Sequence, residues 1–395
     1  MTGRRDGASG GRGGPFGGRN GDSGRPDARA RVSAFAPASV SNVACGFDVL
    51  GFAVAGSFAG AGAAPPGAGA APPGGDGRPL GDVVHASPAA EPGVELLSVS
   101  GDGGKLPREA EGNTAAVAAA AVLELCRATL PAGSALRGVR LELEKGMPLA
   151  SGLGSSAASA VAATVATHEL ARAHGAAPLP APALIRCALA GERVASGGEH
   201  ADNVAPSLLG GFVLVRSLVP EPDVVELPVP HGLSCAIVRP HLEVATRAAR
   251  AALGERIALR AAIAQWGNVG ALVAALHRGD LELLARALHD EVAEPVRAAA
   301  VPGFAAAMAA ARAAGALGGS LSGSGPSLFA LAPDAATAER AVAAMAGALA
   351  GEGVECDRLV TPVGAPGARR IEDRSPMARA GSTGSVLPGS EERSR

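Results

Sequence analysis

The chain has 395 residues, 35 basic and 37 acidic side chains and a formal net charge of −2, so it offers no basic field for nucleic acid or an anionic membrane. Its 56 glycines, 30 prolines and two lysines (Lys105 and Lys145) read as the composition bias of a GC-rich genome rather than as chemistry. The cysteines are odd in number and scattered (Cys45, Cys126, Cys187, Cys235, Cys356). They form neither a disulfide framework nor a zinc site and suit a reducing, cytoplasmic setting. Neither an uninterrupted apolar run of about 18 residues nor a compact secretory signal is seen.

Residues 1–30 carry almost nothing apolar except Phe16 and are expected to form a disordered tail. Val32–Phe35 and Phe47–Val54 predict short strands around a turn-rich stretch. The segment 56–80 is a Gly/Ala/Pro insertion of linker character, expected to leave the fold as a solvent-exposed excursion. Asn113 is placed to cap an Ala-rich helix running to Leu130. Val139–Glu144 alternates apolar and polar residues, the signature of a half-buried strand. After the breaker Gly146-Met147-Pro148, a Gly/Ser loop opens a helix from Ser155 to His174. A helix over Leu184–Glu192, strands at Gly211–Ser217 and Cys235–Arg239, and several helices to Ala314 follow. Ser327–Ala332 predicts a late strand, Ala336–Gly351 a last helix, and 365–395 a second disordered tail. The mixture predicts an α+β fold in two lobes, 31–217 and 218–364, with the boundary near Leu218–Pro228.

The sharpest local feature is Pro148, Leu149, Ala150, Ser151, Gly152, Leu153, Gly154, Ser155, Ser156, Ala157 and Ala158. A strand ends, glycines turn the backbone, and a helix begins with two hydroxyls in its first turn. Free N–H groups at such a helix start suit an anion, phosphate above all, and a hydroxyl there can ligate Mg²⁺. It is not a Walker A loop, which needs a lysine that is missing here. It matches G-x-G-x-x-A, but the acidic residue of the dinucleotide fold is not at a strand end, since Glu169 sits in a helical run.

Two further motifs flank that loop. Near the start stands Pro37-Ala38-Ser39, then Asn42, then Gly46-Phe47-Asp48 and Gly51; near the end stands Gly319-Ser320-Leu321-Ser322-Gly323-Ser324-Gly325-Pro326-Ser327. In this order the three motifs resemble the GHMP small-molecule kinases, named for the galacto-, homoserine, mevalonate and phosphomevalonate enzymes. The match runs from Val32 to Val363. Within that family the pattern is most similar to the homoserine kinase branch, through Gly191-Glu192…His200-Ala201-Asp202-Asn203…Gly210-Gly211, Thr246-x-x-x-Arg250 and Glu294-Pro295-Val296-Arg297. The resemblance implies a two-lobed GHMP kinase fold. Its N-terminal lobe would be similar to the second domain of ribosomal protein S5, and its C-terminal lobe ferredoxin-like.

The resemblance also implies a reaction, ATP and L-homoserine giving ADP and O-phosphohomoserine with Mg²⁺, a step toward threonine, in a cytoplasmic homodimer. The loop Pro148–Ala158 would wrap the triphosphate, Ser156 and Glu192 would hold Mg²⁺, and Asn113 would reach the nucleotide base. Arg250 and Arg297 would take the substrate carboxylate, for which an arginine fork is suited. Asn42, Asp48 and His200 would accept from its ammonium or hydroxyl, with Thr246 beside them. Asn203 would position the reactants, Asp202 is left open as a base, and the loop Ser322, Gly323, Ser324 and Gly325 would close the site. Ala44 and Cys45 stand where the family usually has Gly and Pro. Other readings are a GHMP kinase of shikimate or diphosphocytidyl-methylerythritol type, or a non-catalytic protein of this fold that binds a metabolite.

Overall fold

The computed structural model describes residues 31–58, 79–244 and 246–372. The expected tail at 1–30, most of the 56–80 insertion and the chain beyond 372 lie outside those residues.

The first half alternates short strands with alanine-rich helices: β1 (Val32–Pro37), β2 (Ser39–Val43), β3 (Gly46–Ala53), β4 (Gly81–Ala89), β5 (Gly93–Ser100), α1 (Thr114–Arg127), β6 (Gly138–Lys145), α2 (Ser155–Ala173), α3 (Ala181–Ser196), α4 (Ala201–Leu209), β7 (Phe212–Ser217) and β8 (Asp223–Leu227). The second half continues with β9 (Ser234–Pro240), α5 (Thr246–Ala251), α6 (Leu259–Arg278), α7 (Leu281–Ala287), α8 (Glu294–Arg297), α9 (Phe304–Ala313), β10 (Gly318–Leu321), β11 (Leu328–Ala332), α10 (Ala335–Gly351), β12 (Cys356–Pro362) and β13 (Arg369–Ile371).

Three sheets result, ordered β13-β1-β4-β6-β5, β2-β3-β7-β8 and β10-β11-β9-β12. The first is covered on one face by α1 and α2, with α3 stacked on both and α4 packed mainly on the middle sheet; the helices' alanines let backbones come close while Val122, Leu141, Val161 and Leu170 fill the space between. The third is antiparallel, carries α9 and α10 on one face, and has the strand order of a ferredoxin-like lobe, as expected. The middle sheet joins them through a core containing Phe52, Phe212 and Phe329. Helix α6 buries Leu272, Ala275 and Leu276 in that core but leaves Leu259, Ile263 and the single tryptophan, Trp266, exposed.

Strand β8 pairs with β7, so the strands of the first lobe run on to Leu227, within the stretch Leu218–Pro228 expected to hold the boundary. The segment expected to be a tail from 365 onward returns to that lobe. Ala365 N–H donates to the Ala53 carbonyl at 3.0 Å, and β13 pairs with β1. A three-residue edge strand has too few residues to show a period, and neighbouring prolines and glycines hid it. The insertion is pinched at its base, where Leu80 N–H donates to the Gly56 carbonyl at 2.7 Å.

Candidate active site

The three motifs converge on a cleft of about 530 Å³. Glycines make the convergence possible. A Cβ on Gly154 (φ 70°) would lie 2.4 Å from Ser39 Oγ and 2.8 Å from Asn203 Oδ1, and one on Gly152 (φ 76°) would lie 2.6 Å from the carbonyls of Ser322 and Gly325. Hydrogen bonds then lock the loops together. Ser322 Oγ donates to the Gly152 carbonyl at 2.7 Å, and Gly323 N–H to the Ser41 carbonyl at 3.1 Å. Asn203, on α4, accepts from Ser39 Oγ at 3.0 Å and donates to Ser41 Oγ at 2.9 Å. Pro148 leads from β6 to Leu149, Ala150 and Ser151, which line the cleft; Leu153 is buried behind them, and Ala157 and Ala158 anchor the first turn of α2 in the core.

The first α-helical bond of α2 runs from Ala158 N–H to the Gly154 carbonyl at 2.8 Å. The amides of Ser155, Ser156 and Ala157 precede it, which gives the helix start its anion-binding character. Ser156 Oγ donates to Glu192 Oε1 at 3.0 Å, and His200 Nδ1 lies 3.1 Å from the same oxygen. Glu192 is 3% exposed on α3. Hydroxyl and carboxylate together form a hard-oxygen pair that fits Mg²⁺, a cation that typically takes one or two carboxylates and completes its shell with phosphate and water. Among the described residues there is no cluster of three or more acidic, His or Cys side chains able to cage a metal. Burial alone would lower the His200 value; the hydrogen bond and charge of Glu192, with Asp202 and Asp48 beyond, raise it instead.

At the opposite end, β2 and β3 turn through three left-handed residues, Asn42 (φ 53°), Ala44 (φ 46°) and Asp48 (φ 59°). Asp48 N–H donates to Asn42 Oδ1 at 2.8 Å, so that amide closes the turn. Asn42 N–H donates to Asp202 Oδ2 at 3.1 Å. Asp202 is fully buried, and its Oδ1 has no hydrogen-bond partner among the described residues. Burial first, then the Asp48 charge, lift its carboxyl to about 7, with His200 and the Asn42 amide opposing. Arg250, on α5, pairs with Asp48 at 2.5 Å, and Arg297, on α8 and buried, donates to the Gly323 carbonyl at 3.0 Å. Both guanidiniums lie over the Phe47 ring, 5.2 Å from its centroid.

The cleft therefore brings together the residues singled out from the sequence except Pro148, Leu153, Ala157, Ala158, Thr246, Ser322 and Gly325, which do not line it. Thr246 opens α5, but its side chain lies outside the described residues. Asn113 lines the cleft, yet its side chain is engaged as a helix cap. Its Oδ1 accepts from the amides of Ala115 and Ala116 at 3.0 and 3.4 Å and its Nδ2 donates to the Pro107 carbonyl at 2.9 Å, so it braces the wall at Leu106–Pro107. Gly325 stays behind the rim, where its φ of 80° turns the third loop. Ala44, the departure from the usual glycine, occupies a left-handed conformation (φ 46°) that a glycine would hold without strain.

Sequence reasoning missed the Phe47 platform, although the residue lay inside a quoted motif. It also missed Lys145 and Asp82, both buried beneath α2, and Gln265, which donates from α6 to the Cys45 carbonyl at 2.7 Å. The one available signal was Lys145 itself, a rare lysine placed three residues before Pro148.

Comparison with known proteins agrees with this geometry. The model of the GHMP kinases N terminal domain matches residues 112–211, and that of the GHMP kinases C terminal matches 272–351. A homoserine kinase of Chlorobium phaeobacteroides is 43% identical over 343 residues, 86% of this chain and 99% of its own. The crystal structure of a homoserine kinase from Cytophaga hutchinsonii superposes with a TM-score of 0.73 at 42% identity, covering 87% of this chain and 98% of that one. A Lactococcus lactis galactokinase shares the fold alone, at a TM-score of 0.55 and 14% identity. The chain belongs to the GHMP kinase family, in the group of the homoserine kinases.

Proposed function

We propose that the chain transfers the γ-phosphate of ATP to the side-chain hydroxyl of L-homoserine, with Mg²⁺ held between Ser156, Glu192 and the triphosphate. The observation that carries the reading is one cleft with two chemically distinct ends. One is a helix start framed by glycines, suited to phosphate; the other is the Arg250–Asp48 ion pair on the Phe47 platform. An α-amino acid carries an ammonium and a carboxylate, so it can exchange for both partners at once, its carboxylate taking Arg250 and Arg297 and its ammonium taking Asp48. A neutral polyol would leave that pair nothing to exchange with.

Phosphoryl transfer needs positioning and charge neutralisation more than covalent help from the protein. When bound, Mg²⁺ supplies positive charge to the phosphate oxygens. The α2 amides and the loop Pro148–Ala158 hold the triphosphate along the cleft. Asn203, fixed by Ser39 and Ser41, keeps the first loop in register with Gly154, so that acceptor and donor face each other. Asp202 is suited to take the hydroxyl proton, since a carboxyl near 7 is a stronger base than an exposed one.

The test is ADP release with Mg-ATP in the presence of L-homoserine, shikimate, mevalonate or L-threonine. Turnover with L-homoserine alone is expected. Turnover with a different acceptor would keep the kinase and void the substrate end. Tight ATP binding with no turnover would favour a metabolite-binding protein of this fold.

A further inference from the structure

Beneath the first turn of α2 lies a buried ion pair that the reaction as described does not use. Asp82 on β4 stands directly opposite Lys145 on β6, and neither side chain is more than 1% exposed. Lys145 Nζ faces Asp82 Oδ2 at 2.5 Å, the Ser155 carbonyl at 2.8 Å, Ser155 Oγ at 2.9 Å and Ser159 Oγ at 3.0 Å. Ser159 passes its own proton to Asp82 Oδ2 at 2.7 Å, and Gly146 N–H occupies Asp82 Oδ1 at 3.1 Å. Burying such a pair is a poor way to stabilise a fold, because apolar groups of similar size commonly do as well. An ammonium under the positive end of a helix is also unfavourable by itself. Among the groups that Lys145 Nζ faces, Ser155 Oγ opens the first turn of α2 and lines the cleft.

We propose that Asp82 and Lys145 are positioning residues that set Ser155 as a hydrogen-bond donor to the triphosphate, while Ser156 is set with the opposite polarity, as an acceptor for the cation. The proposal rests on the nucleotide reading of the cleft. A hydroxyl that accepts from an ammonium cannot turn its own proton back toward that ammonium. Ser155 is half-buried and lines the cleft, so its O–H is left for an anionic oxygen there. Ser156 O–H donates a hydrogen bond to Glu192 Oε1, which leaves the lone pairs of its oxygen for a positive charge. Two adjacent hydroxyls in one turn thus serve opposite charges, and the difference is imposed from below by Lys145 and from the side by Glu192.

Equilibrium binding of ATP to the full chain, with Mg²⁺ varied, tests this without any acceptor. Ser155→Ala is expected to weaken ATP about tenfold, the worth of one charge-assisted hydrogen bond, with the Mg²⁺ midpoint unmoved. Ser156→Ala is expected to move the Mg²⁺ midpoint upward severalfold. The neutral pair Asp82→Asn with Lys145→Met avoids leaving a lone buried charge. It should reproduce the Ser155→Ala loss, and adding Ser155→Ala to it should cost no more than about twofold further. Wild-type affinity in Ser155→Ala, equal Mg²⁺ shifts in the two serine variants, or fully additive losses would each overturn the assignment. Ser155→Ala lies on a half-exposed surface and decides the matter even if the pair variant does not fold. A wild-type chain that binds no ATP overturns the nucleotide reading itself, a separate result from any of these.

Discussion

The two ends of the cleft are built with different stiffness. At the phosphate end Glu192, Lys145 and Ser322 are hydrogen-bonded inside the protein and nearly inaccessible to solvent. At the acceptor end Arg250 rises from a six-residue helix, is half exposed, and pairs with an Asp48 that is itself a third exposed. Phosphate geometry varies little between reaction cycles, and a preorganised cradle need not reorganise as charge develops. An acceptor has to be let in and recognised, so its site is held by a pair that can change partners. On the proposed function, rate belongs to the stiff end and selection to the exchangeable one.

That division can be broken at several points. Glu192→Ala should lower kcat by at least about 10²-fold, comparable to losing one transition-state charge contact, with little change in the acceptor KM. Near wild-type turnover at saturating Mg²⁺ would remove charge handling from that end. Arg297→Ala and Arg250→Ala should instead raise the KM for the acceptor, Arg250→Ala by about tenfold and buried Arg297→Ala by more. A KM unchanged in both would mean that the substrate carboxylate lies elsewhere.

Asp202 sits where the two ends meet and sharpens the comparison through pH. Its carboxyl rises from an ordinary 3.8 to about 7 on folding, so between those values the folded chain takes up a proton that the unfolded chain lacks. Stability from this group is thus greatest at low pH and falls as pH climbs toward 7. His200, also raised, adds in the same direction above 6.5. Melting temperatures should drop from pH 5 to pH 7, and Asp202→Asn should flatten most of that slope; an undiminished slope in the variant would contradict the assignment. The smallest effect is expected at Ala44, where Ala44→Gly should stabilise by about 0.5–1 kcal/mol by relieving a left-handed alanine, read as a rise in denaturation midpoint.

The site was legible in the sequence wherever backbone chemistry wrote it. Gly152, Gly154 and the paired serines announced a helix start for anions, and Asn113 announced a cap, which is what it became. What pairs across the fold was not legible. Asp82 and Lys145 are 63 positions apart, and only the register of β4 on β6 sets them face to face. The Arg250–Asp48 pair spans 202 positions, and only the resemblance to a family put both residues in one site. Strand β13 is too short for its pattern to be told from a tail.

Trp266 gives the chain a built-in optical probe. The sequence holds one tryptophan and no tyrosine, so near-ultraviolet emission comes from a single indole on the exposed face of α6. Its neighbour in sequence, Gln265, grips the Cys45 carbonyl in the loop between Asn42 and Asp48 and also Asp290 at 2.8 Å. On the proposed function an acceptor would meet Asp48 and Arg250 beside that loop, and the indole is one residue from the grip. Fluorescence titration would then follow acceptor docking in real time with no label attached.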